Sequence, residues 1–148
     1  AADMAQAVKA AAEKQDIIIK AAAVADYRPA RTADEKMKKK DGELTIALER
    51  TEDILAYLGA HRRQGQFICG FSMETEHMLE NSRAKMEKKH IDMIVANNLR
   101  QEGAGFGTDT NVVTLLTKEE TLELPILSKE EVADRLLTFI LEKQGKKA

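Results

Sequence analysis

A single cysteine among 148 residues rules out an internal disulfide. Cys69 stands in the apolar run Phe67-Ile68-Cys69-Gly70-Phe71. No cationic pattern lies nearby to lower its pKa, so it reads as a small core residue rather than a nucleophile. That usage fits a reducing, cytoplasmic setting. His61, His77 and His90 are scattered among charged residues without ligand spacing, which leaves no zinc motif and no catalytic histidine. A serine nucleophile elbow is missing too, so acyl-enzyme chemistry has no support. No apolar stretch reaches the length of a membrane span, and no basic-then-apolar leader opens the chain. Charge of one sign is also lacking: 23 basic against 25 acidic side chains leave a formal charge of -2. Neither a nucleic acid nor an anionic membrane is therefore expected as a partner, and any anion site must be a local cluster.

The hydrophobic fraction, 43%, is enough for one ordinary core in one domain. Met4, Ala5, Val8, Ala11 and Ala12 recur at helical spacing, and Ala1 to Ala5 already read as a helix in progress, as expected of a fragment. Ile17 to Ile19, leading into Ala21 to Ala25, reads as a buried strand interrupted only by Lys20. Leu44, Ile46 and Leu48 alternate as in a half-buried strand. A helix is expected from Thr51, as its cap, to about Arg63, with Ile54, Leu55 and Leu58 on one face. Gln66 to Phe71 and Asp92 to Asn97 read as further buried strands. Between them a helix from about Thr75 to Lys89 should carry Met78, Leu79, Ser82 and Met86 inward. Val112 to Thr117 and Thr121 to Ile126 are close enough to form a hairpin. The last helix has a capping box, Ser128 with Glu131, an apolar stripe of Val132, Leu136, Ile140 and Leu141, and Gly145 at its end. This alternation predicts an α/β fold: a Rossmann-like, mainly parallel sheet with helices on both faces, then a C-terminal β-hairpin plus helix.

Ligands of such sheets bind at the carboxyl ends of the strands. Those ends carry Asp26-Tyr27-Arg28, then Ser72 and Glu74, then Asn97-Asn98. Asp26 suits a sugar hydroxyl, a base or a metal-bound water, and equally a turn before Pro29. Lys36, Lys38, Lys39 and Lys40 lie in a segment without apolar periodicity, which reads either as a loop closing on a polyphosphate or as a solvated charge run. Lys85 and Lys89 share a helix face, where an anion could bridge them or Glu87 could balance them. Gly103 to Gly107 lacks the lysine and the serine or threonine of a P-loop. No glycine fingerprint with a ribose-binding acid supports the alternative of a Rossmann-type oxidoreductase half. A non-catalytic nucleotide-binding or assembly module stays open beside an enzyme.

Several segments taken together resemble the phosphopantothenate-cysteine ligase (phosphopantothenoylcysteine synthetase) domain of bacteria. They are Ala22-Ala23-Val24-Ala25-Asp26-Tyr27-Arg28-Pro29, Glu35-Lys36-Met37-Lys38-Lys39, Thr51-Glu52-Asp53-Ile54 and Gly70-Phe71-Ser72-Met73-Glu74-Thr75. The series continues with Lys85 and Lys89 before Asp92, Ala96-Asn97, and Gly105 to Asn111. Thr51-Glu52 stands where that family has Asn-Pro, and Asn98 where aspartate is common. The resemblance implies a ligase of coenzyme A synthesis that activates 4'-phosphopantothenate with CTP and Mg2+, then couples the acyl-cytidylate to cysteine. It further implies nucleotide contacts from Asp26, Lys36, Asp53, Ile54, Phe71, Lys85 and Lys89, with Lys36 catalytic. The backbone of Ala22, Ala23 and Ala25 would line the intermediate's pocket, and no metal is held by protein side chains alone. A homodimer is implied, and a fused FMN-dependent decarboxylase would lie outside this chain. Residues 1-148 would be the C-terminal part of one domain whose first βαβ segment, with its glycine-rich turn and asparagine loop, is missing. Such a fragment is expected to have little or no activity by itself.

Overall fold

The computed structural model describes residues 1–38, 42–74, 77–98 and 109–145. The Gly103 to Gly107 loop, Lys39, Lys40 and Thr75 lie outside the described residues. The chain runs α1 (Ala2–Ala12), β1 (Ile17–Lys20), β2 (Tyr27–Pro29), β3 (Leu48–Arg50), α2 (Ile54–Ala60), β4 (Phe67–Glu74), α3 (Met78–Lys89) and β5 (Met93–Asn98). It continues through β6 (Thr110–Asn111), β7 (Val113–Leu116), β8 (Thr121–Glu123), β9 (Leu127–Ser128) and α4 (Lys129–Lys143). The main sheet has the order β1-β4-β5-β7-β8. Its first three strands are parallel, and the β7-β8 hairpin adds antiparallel to β5. This is the Rossmann-like α/β arrangement expected above, with the hairpin and helix at its C-terminal end.

Strand alternation sorts the core into two layers. Phe67, Cys69, Met93, Val95, Val113 and Leu115 face Val132, Leu136, Phe139 and Ile140 of α4. Ile68, Ile94, Ala96 and Leu116 face the opposite way, onto α1, α2 and α3 through Ala5, Ile54, Leu55, Leu58 and Met86. Cys69 is fully buried, and burial pushes its thiol up to about 12, which removes it from thiolate chemistry. Gly70 makes room for the second layer, because a Cβ there would come within 2.4 Å of Leu55 Cδ2. At the other end of the strands Arg62 ties this layer down. It pairs with Asp92 at 2.8 Å, and Asp92 Oδ2 accepts the backbone N–H of Ile68 at 2.8 Å. On α4 the capping box is complete: Ser128 Oγ accepts from Glu131 N, and the Glu131 carboxylate accepts from Ser128 N. Gly145 then takes φ +65°, the left-handed conformation that ends helices at low cost.

Four local expectations are corrected. Thr51 does not cap α2; Asp53 does, accepting from Ala56 N at 3.0 Å, and the helix is shorter than Thr51 to Arg63. The Thr51 hydroxyl is instead donated to Ala25 O at 2.5 Å, a partner brought up by the fold. The alternating Leu44, Ile46 and Leu48 stay 71%, 60% and 59% exposed, and only Leu48 enters a strand. Alternation marks a strand only where something covers one face, and no described residue does so here. Leu79 is 38% exposed, because the inward stripe of α3 passes through Ser82 and Met86. Finally, β1 stops at Lys20 and is only half-buried, and the alanines after it are mostly exposed. As an edge strand, β1 has one described neighbour.

Candidate functional site at the strand tips

The same alternation decides what lies on each side of the sheet at its carboxyl end. Ile17 and Ile19 point to the α4 layer, so Ile18 and Lys20 point to the layer of α1, α2 and α3. There Lys20 enters a charged group with Asp26, Asp53 and Lys89. Asp53 is held twice: one carboxylate oxygen caps α2, and the other lies 2.9 Å from Lys89 Nζ at the last turn of α3. Burial pushes the Asp53 carboxyl up, but the Lys89 ammonium and the amides of Ala56 and Leu55 outweigh it, so its pKa is lowered overall. Lys20 is lowered as well, first by burial and then by Lys89, with Asp53 and Asp26 pulling the other way. Its ammonium donates to Ala22 O at 3.1 Å. Thr51 adds a second tie to this turn, since its backbone N–H donates to Asp26 O at 2.9 Å. The segment after β1 is thus fastened both to its own strand and to Thr51 at the end of β3. An anion arriving here would meet two half-buried ammonium groups and the N-terminus of α2.

On the α4 side of the same tips lies a cavity of about 660 Å³. Ile19, Phe71 and Met73 line it from the sheet, Ala21 to Ala23 from the turn, and Val132, Leu136 and Leu137 from α4. Asn97 and Asn111 supply polar groups on a mostly apolar wall. The turn Ala21 to Asp26 therefore separates an apolar chamber from a charged one. A ligand with an aliphatic part and a polyanionic part fits that division.

Residues 1–143 match the family described as DNA/pantothenate metabolism flavoprotein C-terminal domain. The chain belongs to this family. Among curated relatives, the coenzyme A biosynthesis bifunctional protein CoaBC of Bacillus subtilis is 46% identical over 95% of this chain and 34% of its own length. A cysteine/cysteine sulfinic acid decarboxylase from an unknown prokaryotic organism is 42% identical over 95% of this chain and 40% of its own length. The solved C-terminal domain of a CoaBC protein superimposes with TM-score 0.76 at 42% identity, covering 97% of this chain and 64% of that one. The chain thus spans between a third and two fifths of these curated relatives.

For this member of the flavoprotein C-terminal domain family, the residues singled out in the sequence fall into three groups. Asp26, Asp53 and Lys89 come together, although 63 positions separate the first from the last. Ala22, Ala23 and Phe71 line the cavity, whereas Ala25 is not part of that lining and gives its carbonyl to Thr51. The Ile54 side chain is 2% exposed in the core and anchors the start of α2. Lys85 is exposed one turn before Lys89 on α3. Lys36 is exposed as well, and no hydrogen bond or ion pair joins it to another described residue. Lys20 was not singled out as a site residue. Its signal was present nonetheless: it is the one charge at the end of an apolar run, where a strand delivers it to the ligand end of the sheet.

Proposed function

We propose that this chain forms the nucleotide-holding part of a phosphopantothenate-cysteine ligase that acts in coenzyme A synthesis. The observation that carries this reading is the pairing of a charged group, two lysines with two aspartates, and a mostly apolar cavity across one turn, in a chain 46% identical to a CoaBC protein. In the proposed reaction a carboxylate oxygen of 4'-phosphopantothenate attacks the α-phosphorus of CTP. An acyl–O–P bond forms, the bond to the β-phosphate breaks, and pyrophosphate leaves. The amine of cysteine then attacks the acyl carbon, the C–O bond to CMP breaks, and the amine proton goes to solvent.

Magnesium would arrive with CTP, held by phosphate oxygens, as part of the substrate. The protein's task is to neutralise charge and keep water from the acyl-cytidylate. Lys89 and Lys85 would take the triphosphate, and Lys36 would close on it as the catalytic cation. Asp26 would bind the ribose or base, while Asp53 and the backbone at Ile54 would form the rest of the nucleotide contact on the charged side, and Phe71 would reach the nucleotide only from the cavity side. The acyl arm would lie along Ala22 and Ala23 in the cavity, with Ala25 setting the turn. Asp53 occupies Lys89 in the meantime, so the ammonium is already oriented when the nucleotide arrives.

The whole protein would also carry an FMN-dependent decarboxylase elsewhere in its chain, and would work in the cytoplasm as a homodimer. The dimer contact would use either the exposed Leu44, Ile46 and Leu48 or the C-terminal hairpin, and the exposure of the three apolar side chains favours the first. An Ile46→Asp variant is expected to sediment at half the wild-type mass; an unchanged mass would move the contact elsewhere.

The ligase reading is tested by supplying CTP, Mg2+, 4'-phosphopantothenate and cysteine to the whole protein. CMP, pyrophosphate and the amide are expected in equal amounts. Nucleotide binding without pyrophosphate release would favour a sensor or assembly module. Carbon dioxide released from free cysteine, with no amide formed, would favour a decarboxylase-type relative.

A further inference from the structure

Asn97 has a buried side-chain oxygen with no hydrogen-bond partner among the described residues. Such an orphan is costly, because a buried acceptor left unsatisfied has given up its hydrogen bonds to water without replacement. Buried polar groups in folded proteins almost always find partners, so an exception calls for a cause. Here the cause is the position. Asn97 lies near the end of β5, between Met73 of β4 and Val113 of β7 in register, so its backbone is engaged in the sheet. Alternation from Met93 and Val95 turns its side chain to the α4 layer, and it lines the cavity beside Phe71 and Leu136. Two neighbouring polar groups are engaged elsewhere, and Lys129, which also lines the cavity, makes no bond to the Asn97 oxygen. Ser72 Oγ is 3.1 Å from Ser82 Oγ, and Asn111 Oδ1 accepts from Val112 N at 3.0 Å. What remains is an unpaired hydrogen-bond acceptor in the wall of a mostly apolar cavity.

From this we infer that Asn97 is a specificity-determining residue, whose side-chain oxygen accepts a hydrogen bond from an N–H in the middle of an otherwise aliphatic ligand. The inference rests on the ligase reading and adds to it. The acyl substrate proposed above carries one secondary amide along a carbon chain, so Asn97 would read that amide while the apolar wall holds the methylenes. An unpaired acceptor in a mostly apolar wall discriminates sharply, because a ligand without the donor leaves it unpaired and a ligand with an oxygen there repels it.

The test is calorimetric titration of the protein with 4'-phosphopantothenate and with its ester analogue, in which oxygen replaces the amide N–H. Wild type is expected to prefer the amide about tenfold, the size of one well-made buried hydrogen bond. Asn97→Leu, which keeps the volume and removes the acceptor, is expected to bring the two affinities to within about twofold, with its thermal midpoint retained. Asn97→Asp keeps an acceptor and is expected to keep the preference. Unchanged preference in Asn97→Leu would overturn the inference while leaving the ligase reading intact. Failure of wild type to bind either compound would overturn both. Loss of the preference in Asn97→Asp as well as Asn97→Leu would show that the side chain acts as a donor, and would also overturn it.

Discussion

Lys89→Met is expected to weaken CTP binding about 100-fold and to slow pyrophosphate release correspondingly, while the melting temperature changes little. The affinity loss follows from removing a half-buried ammonium from a triphosphate, since charge-assisted hydrogen bonds in partly dry sites are among the strongest available. The small stability change follows from the same geometry. Lys89 pairs with Asp53 at 2.9 Å, but the Asp53 side chain is 49% exposed, and solvent screens such pairs to about 1 kcal/mol or less. The acid side is predictable too. Asp53 has a lowered pKa, so its contribution is fully present above the unfolded value near 3.8 and is lost as pH falls through the folded value. In Lys89→Met that contribution shrinks, because the ammonium is one of the groups that holds the carboxylate ionised. Titration with CTP at two ionic strengths checks the electrostatic origin: wild-type affinity should fall with added salt, and the variant's should fall less. Affinity unchanged by the substitution would remove Lys89 from the nucleotide site.

Gly59→Ala carries the second large effect, and it acts on stability first. A Cβ at position 59 would sit 1.8 Å from Lys89 O, 2.9 Å from Lys89 C and 3.1 Å from His90 O. The clash is with backbone at the end of α3, which cannot swing aside as a side-chain tip could. Helix α2 would have to withdraw from α3, disturbing Leu55 and Leu58 in the core below. Overpacking of this kind costs about 3 kcal/mol, or roughly 10 °C in melting temperature for a chain of this size. The site would suffer with it, since Asp53 begins α2 and Lys89 ends α3. Thermal unfolding and CTP titration of the same variant therefore make one experiment, in which both signals should drop together. A variant that melts within about 2 °C of wild type would show that the two helices can part at little cost.

Much of this molecule was legible before any coordinates. The capping box of α4, the apolar runs Gln66 to Phe71 and Asp92 to Asn97, and the helical stripes are local patterns, because period and cap chemistry act over a few residues. They were enough for the class of fold and the order of most elements. Where a pattern needed a partner distant in sequence, it misled. Thr51 looked like a cap but bonds to Ala25, and Leu44, Ile46 and Leu48 looked like a strand but lie exposed.

The chain by itself therefore determined the elements, the two-layer core around a mainly parallel sheet, and a buried inert thiol, all consequences of short-range periodicity and burial. Only the tertiary structure decided that Lys20, Asp26, Asp53 and Lys89 share one side of a turn, that an apolar cavity lies on the other, and that Asn97 is left with an unused oxygen. The physical reason is distance along the chain. Charges tens of residues apart interact only after the sheet is assembled, and whether a polar atom is satisfied depends on every neighbour the fold brings to it.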